Sequence, residues 1–213
     1  MRLPWLIAAG TALAAVPLLL LAAPGPSLAC PLQDETGFAG SKSCQKCHFK
    51  EYASWQKTKM AQAMKALKPN EVADAKKKAG LDPAKDYSHD QKCLACHTTG
   101  YGKKGGYPVV VEGKEWTAEE KERSALMENA GCECCHGPGE KYAPYKKDNK
   151  EYKWADIAKL GAVHPEEKGC VECHNKNSPS FKEFKFDEAV GHDTHELAPL
   201  KKDHCCPHKH RDK

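Results

Sequence analysis

The chain contains the stretch Cys44-Gln45-Lys46-Cys47-His48, in which two cysteines are separated by two residues and followed at once by histidine. The pattern recurs as Cys93-Leu94-Ala95-Cys96-His97, Cys132-Glu133-Cys134-Cys135-His136 and Cys170-Val171-Glu172-Cys173-His174. Two thiols three residues apart share one helical turn, so they can reach the two vinyl groups of one porphyrin. The next residue can then present its imidazole to the iron. The pattern is the attachment signature of haem c and predicts four covalently bound haems.

Disulfides and zinc are the alternatives for a chain with 12 cysteines. Neither explains why histidine follows every Cys-x-x-Cys pair. With 11 histidines among 213 residues, four such coincidences have a probability of roughly one in a hundred thousand. The predicted haem-binding residues are Cys44, Cys47, His48, Cys93, Cys96, His97, Cys132, Cys135, His136, Cys170, Cys173 and His174. The four histidines of this set are the predicted proximal iron ligands.

The beginning of the chain predicts export. Arg2 precedes an apolar run over residues 6–23, and a small-x-small cleavage site ends at Ala29. We expect residues 1–29 to be a signal peptide and residues 30–213 to form one periplasmic domain without stable membrane insertion. An uncleaved membrane anchor and a lipid anchor on Cys30 are the alternatives.

The composition indicates a fold organised by haem. The mean hydropathy is −0.71 and only 8% of residues are aromatic, so side chains alone supply little apolar core. Four flat macrocycles would supply the missing buried surface, and their charges largely cancel the formal net charge of +4. We therefore predict a mainly α, small multihaem cytochrome c fold, with short helices and loops around four closely packed haems. The composition gives no reason to expect a nucleic-acid partner.

Helical patterns occur at residues 51–68, 71–79, 117–130 and 152–160. Residues 100–114 are glycine-rich and predict a loop with at most one short strand pair. The helix over 117–130 begins with a capping box formed by Thr117 and Glu120. We expect the tail from about residue 199 to be a flexible terminus.

The pattern does not specify the sixth iron ligands, because seven histidines lie outside the motifs. His164 precedes the fourth motif by six residues, and His192 and His195 follow it; we predict that His164 and one of the other two are distal ligands. Surface roles are the alternative. The cysteines outside the attachment pattern are Cys30, Cys134, Cys205 and Cys206. A disulfide from Cys134 or Cys30 to the tail is a hypothesis.

Several stretches between the motifs resemble the cytochrome c-554 family, the tetrahaem electron carriers of ammonia-oxidising bacteria. These stretches are residues 66–70, 81–87, 102–107, 131–139 and 184–188, so the resemblance includes linkers as well as motifs. It implies a mainly helical fold with stacked and perpendicular haem pairs. It also implies that the haem at His97 has an open face, whereas the other three have two histidine ligands.

The chain departs from that family at two distal positions. Met60 stands where the family has a histidine after the first motif, and Lys146 stands where the family has one after the third. Met60 is therefore a further candidate distal ligand, which would raise the potential of its haem; a role as core filler is the alternative.

The predicted function is electron transfer rather than catalysis. The resemblance implies that electrons come from a hydroxylamine-oxidoreductase-like enzyme and leave toward a quinone-linked membrane protein or a soluble cytochrome. One alternative is a reductase of nitric oxide or another small nitrogen compound at an open haem. A second is a subunit of an extracellular haem filament.

Overall fold

The computed structural model describes residues 36–192 and 194–196. This part of the chain forms short helices and contains no β-strand, and one antiparallel bridge joins Thr98 to Glu128. The helices are α1 (Ser41–Cys44), α2 (Phe49–Trp55), α3 (Ala73–Lys78), α4 (Gln91–His97), α5 (Ala118–Met127), α6 (Cys132–His136), α7 (Tyr142–Asp148), α8 (Trp154–Ala158), α9 (Glu167–Cys170) and α10 (Phe186–His192). The predicted mainly α fold is confirmed. The signal peptide and the tail from about residue 199 lie outside the described residues and stay predictions.

The predicted capping box at the start of α5 is present. The Thr117 hydroxyl accepts from the Glu120 N–H at 3.1 Å, and the Glu120 carboxylate accepts from the Thr117 N–H at 2.8 Å. These two bonds satisfy N–H groups that a helix start leaves without intrahelical partners. The helix covers Ala118–Met127 and ends three residues earlier than the pattern indicated.

The continuous helix predicted over residues 51–68 is wrong. After α2 the chain forms two 3-10 turns, Met60–Gln62 and Lys65–Leu67. The Met60 carbonyl accepts from the Ala130 N–H at 3.2 Å, and the Met64 N–H donates to the Asn129 side chain at 2.8 Å. Tertiary hydrogen bonds thus replace helical ones, which a local periodicity cannot reveal.

Two small clusters form the apolar core of the described residues. The larger contains Leu94 and Met127, both fully buried, with Phe38, Met64, Leu67, Tyr87, Tyr101 and Tyr107. The smaller joins α7 to α8 through Tyr142, Ile157 and Ala162. No helix in this part of the chain is long and apolar enough to cross a membrane.

A buried carboxylate connects the start of the described chain to α6. Glu133 is fully buried and accepts three backbone hydrogen bonds, from Ala39 at 2.8 Å, Gly40 at 2.7 Å and Gly139 at 2.6 Å. The Ser41 hydroxyl also accepts from the Cys132 N–H at 3.0 Å. Together these bonds hold α1 against α6, so the first and third Cys-x-x-Cys-His motifs are neighbours.

Candidate haem-binding site

Each motif folds into one helical turn. The second and third motifs lie within α4 and α6. In the first, the His48 N–H donates to the Cys44 carbonyl at 2.9 Å, and in the fourth the His174 N–H donates to the Cys170 carbonyl at 2.9 Å. Every motif therefore has the conformation that places its two thiols and its imidazole along one turn.

The first and third motifs meet at their thiols. The thiols of Cys44 and Cys132 interact directly, which lowers the pKa of Cys132 and raises that of Cys44. Residues 88 positions apart in the chain are thus in contact through the very side chains that the sequence predicts to bind haem. Groups bonded to these two sulfurs would be immediate neighbours.

The second and fourth motifs are paired in the same way. Hydrogen bonding with Cys173 lowers the pKa of Cys96 to about 7 and raises that of Cys173. The two pairs are connected through the third and fourth motifs, because α6 packs on α9. Burial, with the nearby Cys134 and Cys170 thiols, raises the pKa of Cys135 to about 12. The motifs therefore follow the spatial order first, third, fourth, second.

The second-motif histidine is held by a backbone carbonyl. Nδ1 of His97 donates to the carbonyl oxygen of Ala63 at 2.6 Å. Burial lowers the pKa of His97, so the neutral imidazole is favoured. A hydrogen bond from one ring nitrogen fixes the tautomer and leaves the other nitrogen for a metal. This is the arrangement that an iron ligand requires.

The first-motif histidine contacts a lysine. Nζ of Lys146 on α7 donates to Nε2 of His48 at 3.2 Å. Burial lowers the pKa of His48, and the Lys146 ammonium lowers it further. His48 is therefore neutral at neutral pH, with its Nε2 lone pair directed at a second nitrogen.

The third-motif histidine faces another histidine. The ring centroids of His136 and His195 are 6.2 Å apart, with 30° between the ring planes. Nδ1 of His195 lies 2.8 Å from the Glu196 carbonyl oxygen, and the Glu196 N–H donates to Ser54 at 2.7 Å. With metal–imidazole bonds of about 2.0–2.1 Å, two imidazoles on opposite sides of one metal have centroids roughly 6 Å apart. The measured separation fits one iron between them.

The remaining predicted ligands have other surroundings. His164 stacks on Trp154 at a centroid distance of 3.6 Å, and its neighbour Val163 donates to the His136 carbonyl at 3.0 Å. His174 stacks on Phe184 at 4.7 Å. Met60 is half-buried, next to the backbone that leads into α6. The backbone of His192 ends α10, but its side chain lies outside the description.

The cysteines test whether the chain fits haem attachment. Within the described residues no two cysteines form a disulfide, and each attachment thiol stands one turn from its partner. The Cys134 thiol instead donates to the Thr98 carbonyl at 3.8 Å, and Cys134 packs from α6 against the larger core cluster. Cys30, Cys205 and Cys206 lie outside the described residues, so the predicted disulfide to the tail stays a hypothesis. The donor set of two thiols and one imidazole per motif fits haem c.

Short helices that each present two thiols and an imidazole, around a small apolar core, define a multihaem c-type cytochrome. Comparison with known proteins agrees. The family described as "Cytochrome c554 and c-prime" matches residues 43–137. Cytochrome c-554 of Nitrosomonas europaea is 37% identical over 158 residues, which are 70% of this chain and 61% of that protein. The reduced-state structure of cytochrome c554 from the same organism matches with a TM-score of 0.64 and 35% identity, covering 78% of this chain and 88% of that one.

The chain belongs to the cytochrome c554 family. The match to the curated relative spans about three fifths of that protein's length. Family membership confirms haem c as the cofactor, and the four Cys-x-x-Cys-His motifs fit four covalently bound haems.

Sequence reasoning missed three contacts of the site. Glu133 lies inside a motif, where it had no assigned role, and the Ala63 carbonyl is a backbone group that no residue pattern can indicate. Lys146 was noted only as a departure from the family, without a partner. One signal could have indicated the role of Glu133: it is an acidic residue between two attachment cysteines, with glycines nearby. A buried carboxylate needs N–H donors close to it, and the backbone at glycines can supply them.

Proposed function

We propose that this protein is an exported periplasmic electron carrier that passes electrons between redox partner proteins through four haems. The observation that supports this most is the convergence of the motifs, with Cys44 beside Cys132 and Cys96 beside Cys173. Haem iron supplies reversible one-electron chemistry in each group. Because attachment side chains of separate motifs are in contact, neighbouring haems would be close enough for rapid exchange.

The residues have distinct proposed roles. The cysteine pairs hold the haems, and His48, His97, His136 and His174 bind iron on the proximal side. The His97–Ala63 hydrogen bond orients that imidazole. We propose His195 as the distal ligand opposite His136, on the strength of the 6.2 Å centroid separation. His164, His192 and Met60 remain candidates for other haems.

The proposed direction of electron flow uses the family relationship. The donor would be a hydroxylamine-oxidoreductase-like enzyme, and the acceptor a quinone-linked membrane protein or a soluble cytochrome. The spatial order first, third, fourth, second motif supports a path whose two ends are the first and second motifs. Partners would then dock near the first and second motifs.

Three measurements test the proposal on periplasmically matured full-length protein. Intact mass should show four haems, and a reductive titration should consume four electrons per molecule. Stopped-flow mixing with a reduced donor should load the haems faster than the donor turns over. Steady turnover of nitric oxide or hydroxylamine would favour the reductase instead, and growth of particle size with concentration would favour the filament.

A further inference from the structure

A lysine lies beside the first-motif histidine, although it comes from the helix that follows the third motif in the chain. Lys146 lies on α7, ten residues after His136, and its Nζ is 3.2 Å from Nε2 of His48. We infer that Lys146 is the distal ligand of the haem attached at Cys44 and Cys47, giving that iron one imidazole and one amine nitrogen. The inference rests on the haem attachment proposed above.

The fold brings Lys146 to this place by specific contacts. The buried Tyr142 hydroxyl donates to the Gly137 carbonyl at 3.1 Å, and the Ala143 N–H donates to the Gly139 carbonyl at 3.0 Å, so the start of α7 is tied to the end of α6. Because Glu133 and the Cys132–Ser41 bond hold α6 against α1, α7 is carried over the first motif. The packing of α7 therefore sets the position of Lys146, in addition to the conformation of its side chain.

The side chain of Lys146 also points toward the protein and not into solvent. Its Nζ lies 5.2 Å from the centroid of the Tyr152 ring, and the residue is half-buried. The neighbouring Lys147 is exposed. A surface lysine with no role would extend into solvent in the same way as Lys147, because an ammonium group loses hydration when it is partly buried.

The distance suits two nitrogens on one metal. Metal–nitrogen bonds of about 2.0–2.1 Å place nitrogens on opposite sides of an iron roughly 4 Å apart. The measured 3.2 Å requires a widening of roughly 1 Å, which the four side-chain torsions of lysine allow. On binding, the ammonium group releases one proton to solvent and its lone pair forms the bond.

This ligation would make two neighbouring haems different. His136 faces the imidazole of His195, whereas His48 faces an amine. Axial ligands set the reduction potential of a haem. The pair formed by the first and third motifs would thus contain two irons of unequal ligation side by side.

The test uses wild-type protein, Lys146→Ala, Lys146→His and the matched control Lys147→Ala, all purified with four haems. Near-infrared magnetic circular dichroism of the oxidised wild type should contain a charge-transfer band of an imidazole–amine haem. In Lys146→Ala this band should disappear, and electron paramagnetic resonance should show one more high-spin iron of the four. Carbon monoxide binding by the reduced variant should rise by one molecule per protein.

Lys146→His should restore the low-spin iron with a two-imidazole spectrum, and Lys147→Ala should match the wild type. If the wild type lacks the imidazole–amine band, or if Lys146→Ala keeps the wild-type spin count, the inference is overturned. Peptide mass at Cys44 and Cys47 separates this failure from failure of the proposed function: an unmodified peptide there refutes haem attachment itself and the lysine ligation with it.

Discussion

Residues 36–163 and residues 164–196 differ in how much structure the polypeptide makes for itself. The first region contains the core around Leu94 and Met127, and all buried residues of the described chain lie there. The described part of the second region has no buried residue, yet it carries the motif with Cys170, Cys173 and His174. We infer that protein contacts position the first three motifs, while the fourth depends on its haem for an ordered surrounding.

Two glutamates inside motifs show the same contrast. Glu133 in the third motif accepts three backbone hydrogen bonds. Glu172 in the fourth motif has a buried carboxylate oxygen, Oε2, that accepts no hydrogen bond from the described residues. Buried polar groups are normally paired, so within the described residues the Glu133 carboxylate is fully paired and the Glu172 carboxylate is not.

Loss of haem should have the largest effect, and it tests the comparison directly. Full-length protein made without haem attachment should show no cooperative unfolding transition. Replacing Cys170 and Cys173 by serine should remove only the fourth haem. Amide exchange should then accelerate in residues 164–196, while the amides of Leu94 and Met127 remain protected. Equal loss of protection in both regions would contradict the comparison.

A methyl group added after the third motif should be strongly destabilising. Gly137 has a φ of +79°, and a Cβ there would lie 2.2 Å from the Gly161 carbonyl oxygen. We expect Gly137→Ala to lower the free energy of unfolding by about 4 kcal/mol. Gly169, beside the fourth motif, has no atom within 4 Å of that position apart from its chain neighbours and the backbone of its own helix. Gly169→Ala should raise stability by about 0.5 kcal/mol, because it removes chain entropy from the unfolded state.

Denaturant unfolding followed by circular dichroism measures both glycine variants in the haem-loaded protein. A destabilised Gly169→Ala would place its methyl group against a haem and would sharpen the account of the fourth motif. A harmless Gly137→Ala would show that the backbone after the third motif is less constrained than its contacts indicate.

The glutamate pair provides the third prediction. In Glu133→Gln an NH₂ group faces a backbone N–H, so one donor loses its acceptor and the others lose a charged partner. The free energy of unfolding should fall by about 2–3 kcal/mol. Glu172→Gln removes a charge that lacks full pairing, and its effect should be within about 0.5 kcal/mol of zero. Thermal unfolding measures the stability of both variants. Equal losses of stability would contradict the difference between the third and fourth motifs.

The smallest expected effect concerns alkaline stability of the first region. Burial raises the pKa of Tyr107 from 10.0 to about 12. The neutral phenol is favoured in the folded state, so its stabilising contribution is complete below pH 10 and is lost as the pH rises toward 12. Tyr107→Phe should therefore show a shallower loss of stability above pH 10 in denaturant titrations at several pH values. If stability falls with pH as steeply in Tyr107→Phe as in the wild type, other groups cause the loss of stability at alkaline pH.

The four motifs and the helical class could be predicted because both depend on local spacing. Thiols at i and i+3 and an imidazole at i+4 share one turn in any helix. The helix over residues 51–68 could not be predicted correctly, since Ala130 and Asn129 take over its backbone hydrogen bonds from a distant part of the chain. The roles predicted for His164, His192, His195 and Met60 remain proposals, because an axial partner comes from remote sequence.

The amino-acid sequence by itself determined the cofactor, the number of its sites and the family, because each attachment motif is complete within five consecutive residues and the linkers carry the family resemblance. Only the tertiary structure decided which sites are neighbours and what faces each histidine. The approach of Cys44 to Cys132 and of Lys146 to His48 joins residues about 90 to 100 positions apart. Such contacts depend on a buried carboxylate and a few backbone hydrogen bonds, and these leave no periodic trace in the sequence.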